Sequence, residues 1–192
     1  QRQMCIRDRL IVANTHDTLL CFSNLGKVYW LKVYEIPQAS RVAKGRPLVN
    51  LIQLDSEERI TSLLNVESFD AAGFVFMATM KGVVKKTPLE DFRLPRKNGK
   101  RAIKLDAKDE LVGTKITDGK QHIMLISDAG KAVYFDEKDS RPLGRDTRGV
   151  KGIELEDEQN VISLMVPGSE DEILTVSENG FGKKSRITDF RK

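Results

Sequence analysis

At 192 residues, 40% hydrophobic and 31% charged, the chain can bury a core and lacks the composition of a disordered or fibrous protein. No apolar run is long enough to span a bilayer, and no secretory signal pattern is present. The formal charge of +4 decides little, and Cys5 and Cys21 make neither a disulfide framework nor a metal-ligand spacing, so a reducing cytosol is expected.

Residues 1–9 match nothing later in the chain and read as a non-native head. From there the sequence repeats. An apolar run, a Ser or Thr, two variable residues and a glycine recur as Leu20-Cys21-Phe22-Ser23 with Gly26, and as Phe76-Met77-Ala78-Thr79 with Gly82. The same pattern returns at Met124-Leu125-Ile126-Ser127 with Gly130 and at Leu174-Thr175-Val176-Ser177 with Gly180. The glycines stand 56, 48 and 50 residues apart, a period that marks a propeller or array of units unable to bury their apolar faces alone. A longer echo, Lys85 to Arg93 against Lys183 to Arg191, keeps five of nine residues.

Each unit reads as β. The runs Leu19–Phe22, Phe74–Ala78, Ile123–Ile126 and Ile173–Val176 are short and rich in branched or aromatic residues. Turns with a glycine at positive φ lead to second strands at Val28–Leu31, Val83–Lys85 and Ala132–Phe135. A third strand is predicted at Leu48–Leu54, Ala102–Leu105 and Val150–Leu155, and a last one at Ile60–Val66, Leu111–Ile116 and Val161–Val166. Four strands in about fifty residues is blade-like. The reading is an all-β partial array with blades at 10–66, 67–116 and 117–166 and an incomplete fourth at 167–192, the chain stopping in mid-unit.

Nothing resembles a catalytic centre. His16 and His122 lack metal-ligand neighbours, no Gly-rich phosphate loop precedes a helix, and Tyr29, Tyr34 and Tyr134 suit strand packing. The carboxylates lie in polar turns without an apolar setting to raise a pKa. What stands out is charge in phase with the repeat: nine basic against two acidic residues at 81–104, then no basic against eight acidic at 154–178. Equivalent segments in equivalent places would put a basic track on one edge of the array and acidic turns on another.

The basic halves end in loops of one form, Arg, a short spacer and a Gly flanked by cations: 41–46, 96–101 and 145–151. A glycine there lets the backbone approach a phosphate, and the cations neutralise it. The residues expected to bind are Arg41, Lys44 and Arg46 in the first unit, and Lys85, Lys86, Arg93, Arg96, Lys97, Lys100 and Arg101 in the second. Lys131, Arg141, Arg145, Arg148 and Lys151 follow in the third, and Lys183, Lys184 and Arg186 in the fourth. Few aromatics interleave and no recognition helix is in view, which favours sequence-tolerant contacts to the backbone of duplex DNA.

The stretches Ala13–Ser23, Gly26–Tyr34, Gly45–Leu51 and Phe76–Thr87 resemble the opening of the C-terminal domain of the bacterial DNA gyrase A subunit, and the similarity runs through residues 10–192. The resemblance implies a β-pinwheel, a propeller-like disc whose basic rim wraps duplex DNA in support of ATP-dependent negative supercoiling. It also implies a cytoplasmic, nucleoid-associated parent that is a type II topoisomerase, with a gyrase B subunit and a second A subunit as partners. Catalytic residues, ATP and magnesium then belong elsewhere in that parent, and this segment needs no cofactor. The family's Gln-Arg-Arg-Gly-Gly-Lys-Gly box is missing upstream, where residues 1–9 stand, so weakened wrapping is expected. The alternatives are the matching domain of a topoisomerase IV, or a protein-interaction propeller with an acidic partner.

Overall fold

The computed structural model describes residues 10–40 and 42–190. The first unit forms β1 (Thr18–Ser23), β2 (Lys27–Lys32) and β3 (Ile60–Val66). The second forms β4 (Phe74–Thr79), β5 (Val83–Pro88), β6 (Lys100–Arg101) and β7 (Leu111–Thr117). The third gives β8 (His122–Ser127), β9 (Ala132–Asp136), β10 (Val150–Lys151) and β11 (Val161–Met165). The fourth gives β12 (Glu172–Val176) and β13 (Gly182–Arg186). The sheets run β3-β1-β2-β6, β10-β5-β4-β7, β11-β8-β9 and β12-β13, all antiparallel. The architecture is all-β, as expected.

The Ser/Thr-x-x-Gly signature has a local cause. In all four hairpins the hydroxyl accepts a hydrogen bond from the amide just past the glycine: Ser23 from Lys27, Thr79 from Val83, Ser127 from Lys131 and Ser177 from Phe181, at 3.0–3.2 Å. The glycine amide donates back to the carbonyl of the same Ser or Thr, and each glycine holds φ between +72° and +83°. An L side chain strains that conformation. The sequence pattern therefore encodes one tight turn four times.

The predicted third strands need correction. Leu48–Leu54 is no strand; it opens with a 3-10 turn, Leu48–Asn50, and folds Ile52 against Leu19, Cys21, Tyr29 and Leu31 of its own unit. Ala102–Leu105 is no strand either, the two-residue strand β6 lying just before it, and Val150–Leu155 contracts to the two-residue β10; β6 and β10 each join the preceding sheet. The expected blade limits at 66 and 116 are thus each crossed by a strand. The cause lies at the turn glycine, whose carbonyl is the free acceptor beside each hairpin. Gly26 O accepts from Ala102 N and Ile103 N, and Gly82 O from Gly152 N and Ile153 N.

Strand exchange creates the cores. Leu20, Phe22, Val28, Val75, Met77 and Phe92 close over Ala102 and Ile103 between the first two sheets. Phe76, Val84, Ile123, Leu125 and Leu164 close over Ile153 between the next two. The two-stranded sheet β12-β13 is marginal alone and packs Ile173 and Ile187 against Met124 and Tyr134 of the third unit.

The four glycines share a turn but differ in cover. A Cβ on Gly26 would lie 2.8 Å from Ile103 O, whereas one on Gly130 would meet nothing within 4 Å. Gly26→Ala and Gly130→Ala should share a strain cost of about 1–2 kcal/mol. Gly26→Ala should lose about 1–3 kcal/mol more through overpacking. Urea unfolding of the two variants checks the difference, and equal losses would contradict this account of the joint.

Candidate nucleic-acid interface

The strand that each unit lends to its predecessor is preceded by its basic loop, so the exchange fixes where the loops sit. The loop before β6 turns through Arg96–Gly99, with Gly99 N donating to Arg96 O at 3.1 Å. Gly99 lies so close to the Tyr29 ring that a Cβ would come within 2.7 Å of it. Gly149, before β10, lies equally close to Val84 O, at 2.5 Å from its would-be Cβ. These two glycines are therefore needed for approach to the preceding blade, a correction to the phosphate-approach expectation. Gly45 differs: its surroundings are open within 4 Å.

The second and third loops are clasped together. Arg101 reaches across to Asp146 at 2.8 Å, Arg148 reaches back to Asp106 at 3.0 Å, and Lys104 N donates to Thr147 O at 2.9 Å. Leu51, Ile52 and Gln53, which follow the first loop, line a cavity of about 360 Å³ with Pro95, Arg96 and Lys97. The second and third units thus bring their basic loops to adjoining positions.

Two of the expected contacts are not at the surface. Lys85 is fully buried, and its ammonium donates to Ala102 O at 2.8 Å, Arg145 O at 2.5 Å and Thr147 O at 3.2 Å. Burial pushes it down to about 8, with Asp146 acting in the opposite sense. Lys86 is 4% exposed. It donates to Glu137 O at 2.8 Å, lies 3.8 Å from the Glu137 carboxylate and sits over the Phe74 ring. Glu137 is itself fully buried and also accepts from Thr117 Oγ1 and Gln121 N. This pair joins the second blade to the third where Trp30 and Leu89 share an apolar cluster at the first joint. Neither lysine can reach a phosphate without unfolding the joint.

The other cations are accessible. Lys44, Arg46, Arg96, Lys97, Arg141 and Lys183 are exposed and Arg145 half-buried; none has an ion pair among the described residues. Arg93 pairs with Asp70, Lys151 with Glu154 and Lys184 with Glu172, while Lys131 donates to Glu154 O. Arg186 is exposed on β13. Arg41 lies outside the described residues. Lys100 is the informative one. Its ammonium sits over Trp30, 5.7 Å from the ring centroid, and its pKa is lowered by burial and then by the Arg145 and Arg96 guanidinium groups. Cations from two units converge there.

Sequence reasoning missed Trp30, Asp106 and Asp146, which organise this edge. Trp30 was legible only as strand packing, and the two aspartates only as loop charge. Among the described residues no group of three or more His, Cys, Asp or Glu could hold a metal ion, and no helix is long and apolar enough to cross a membrane.

The sequence matches the family described as DNA gyrase C-terminal domain, beta-propeller, over residues 17–67, 73–118, 121–167 and 171–192. It is 50% identical to the DNA gyrase A subunit of Klebsiella oxytoca over 183 residues, which is 95% of this chain and 21% of that protein. The chain thus spans about a fifth of the length of such relatives. Among solved structures, the C-terminal domain of DNA topoisomerase IV superposes with a TM-score of 0.88 at 30% identity, covering 100% of this chain and 61% of that one. The DNA gyrase A C-terminal domain gives 0.75 at 28% identity, covering 92% and 56%.

Two measurements check the buried lysines. Lys86→Met leaves the Glu137 charge buried without its partner and should cost about 3–5 kcal/mol of stability by denaturant unfolding. For Lys85 the folded-state pKa of about 8 lies below the ordinary 10.5, so the unfolded chain binds more protons between those values. The stability of the unsubstituted chain minus that of Lys85→Met should therefore rise with pH across that window, as read from paired thermal melts.

Proposed function

Because the chain belongs to the DNA gyrase C-terminal domain family, we propose that it binds and wraps duplex DNA along the edge formed by its basic loops, as part of a gyrase A subunit. The observation that carries this is the placing of Lys100 over Trp30 beside Arg96 and Arg145 from two units, where burial first and then the two guanidinium groups lower the pKa of its ammonium. Such a cluster favours an anion, and a series of them one unit apart favours a polyanion bent around the disc. Bending stiff duplex costs of order several kcal/mol, which the repeated contacts would offset. The parent would use this wrapped segment for ATP-dependent negative supercoiling in the cytoplasm, with a gyrase B subunit and a second A subunit. Strand breakage, ATP and magnesium would lie in those other parts, and this segment would use no cofactor. The close superposition on the topoisomerase IV domain supports a second reading, in which the parent is a topoisomerase IV that wraps less.

Neutralising Arg96, Lys97, Lys100 and Arg145 should shrink the slope of log affinity against log salt by roughly 0.9 per lost phosphate contact, whatever the DNA sequence. Neutralising Glu156, Asp157, Glu158 and Glu178, exposed carboxylates with no ion pair among the described residues, changes the net charge by as much in the other direction. That change should leave the slope nearly untouched, since no phosphate contact is lost and charges more than about 8–10 Å apart are largely screened at physiological salt. Duplex binding measured across a salt series separates the two. Equal effects would mean that net charge alone drives association.

A further inference from the structure

The buried lysine on β5 occupies a register position found in every unit. Two residues before each Ser or Thr of the turn motif, the first strand pairs with Tyr29, Lys85, Val133 or Lys183 on the second. Tyr29 packs under Gly99 and donates its hydroxyl to Glu58 at 2.6 Å. Lys85 instead places its ammonium among three backbone carbonyls, one on the segment after β6 and two on the loop before β10. Lys183 is exposed on the last hairpin. Lys85 is buried because a loop from the following unit lies over it.

We infer that Lys85 is a positioning residue that ties the two basic loops into one edge and sets the spacing of their cations without meeting nucleic acid itself. The inference rests on the reading that those loops hold duplex. Its geometry is specific. An ammonium has three protons, and three carbonyls receive them: Ala102, Arg145 and Thr147. Arg145 and Arg101, the cations these contacts flank, emerge from the same backbone. Thr147 O also accepts from Lys104 N, so the clasp continues into the segment that follows the second loop. A methionine of similar length keeps the packing of the stem but supplies no proton, leaving the carbonyls unpaired and the loops free to separate.

The experiment compares Lys85→Met with Lys183→Met in the 192-residue chain, using linear duplex as the probe. Lys85→Met should weaken binding by about two- to thirty-fold at fixed salt. Its salt slope should match that of the unsubstituted chain, because no phosphate contact is lost. Amide exchange at Lys104 should accelerate. Lys183→Met should leave Lys104 exchange unchanged and alter the slope by no more than about 0.9. A slope reduced by about 0.9 in Lys85→Met, with unchanged exchange, would make Lys85 a phosphate contact and overturn the inference. Faster exchange with unaltered affinity would overturn it too. Acetylation of the unsubstituted chain needs no variant and stands even if Lys85→Met fails to fold. Lys85 should resist the reagent with and without duplex while Lys183 reacts, and labelling of Lys85 that duplex suppresses would overturn the assignment. If the unsubstituted chain binds no duplex, the reading of the edge itself fails, an outcome distinct from a loss confined to Lys85→Met.

Discussion

Gly26 and Gly82 each offer one backbone carbonyl to two amides of the following unit, Ala102 and Ile103 at 2.8 and 3.2 Å, and Gly152 and Ile153 at 2.8 and 3.3 Å. The joints between the first three sheets hang on this contact. It seats a two-residue strand on the preceding sheet, delivers Ile103 or Ile153 into the cleft between blades, and aims the basic loop at a fixed place on the edge. A Cβ on either glycine would strike the isoleucine it receives. The turn residue is therefore constrained twice, by its own positive φ and by the neighbour that lies against it.

The joint also explains which features can be read from the chain and which cannot. First, second and last strands of each complete unit carry their own apolar alternation and turn residues, so their positions follow from local sequence. The lent strands do not. Lys100-Arg101 lies just outside the predicted Ala102–Leu105 and Val150-Lys151 is only the start of the predicted Val150–Leu155, and both form strands where an acceptor edge from another unit lies beside them. Leu48-Val49-Asn50, more apolar and more strand-like, becomes a 3-10 turn folded against its own unit.

The lysine pairs make the same point within the candidate site. Lys85-Lys86 and Lys183-Lys184 are identical in sequence and in register. Lys85 and Lys86 are buried, one among carbonyls and the other against Glu137. Lys183 and Lys184 are exposed. Charge counting along the chain treats the four alike, because burial here is set by a segment some sixty residues further on, such as Arg145 and Thr147 for Lys85. Loop cations at 96–101 were legible because a Pro-, Gly- and Arg-rich segment has nowhere to go but the surface.

The edge holds two kinds of cation, and they would serve the proposed duplex binding differently. Arg101, Arg148 and Arg93 rest in exposed ion pairs with Asp146, Asp106 and Asp70. Pairs of that kind are worth about 0–1 kcal/mol, so a phosphate can replace the carboxylate at small cost. Until then the aspartates hold the side chains in place and reduce the entropy lost on contact. Arg96, Lys97 and Arg145 have no such partner among the described residues, and Arg96 and Arg145 crowd Lys100. Their mutual repulsion is a cost of the folded state that a bound anion would relieve. The buried Lys85 ammonium keeps them from relaxing apart, since the Arg145 carbonyl is fastened to it. A disc built this way keeps its unpaired cations close together before any ligand arrives, and its paired ones ready to exchange.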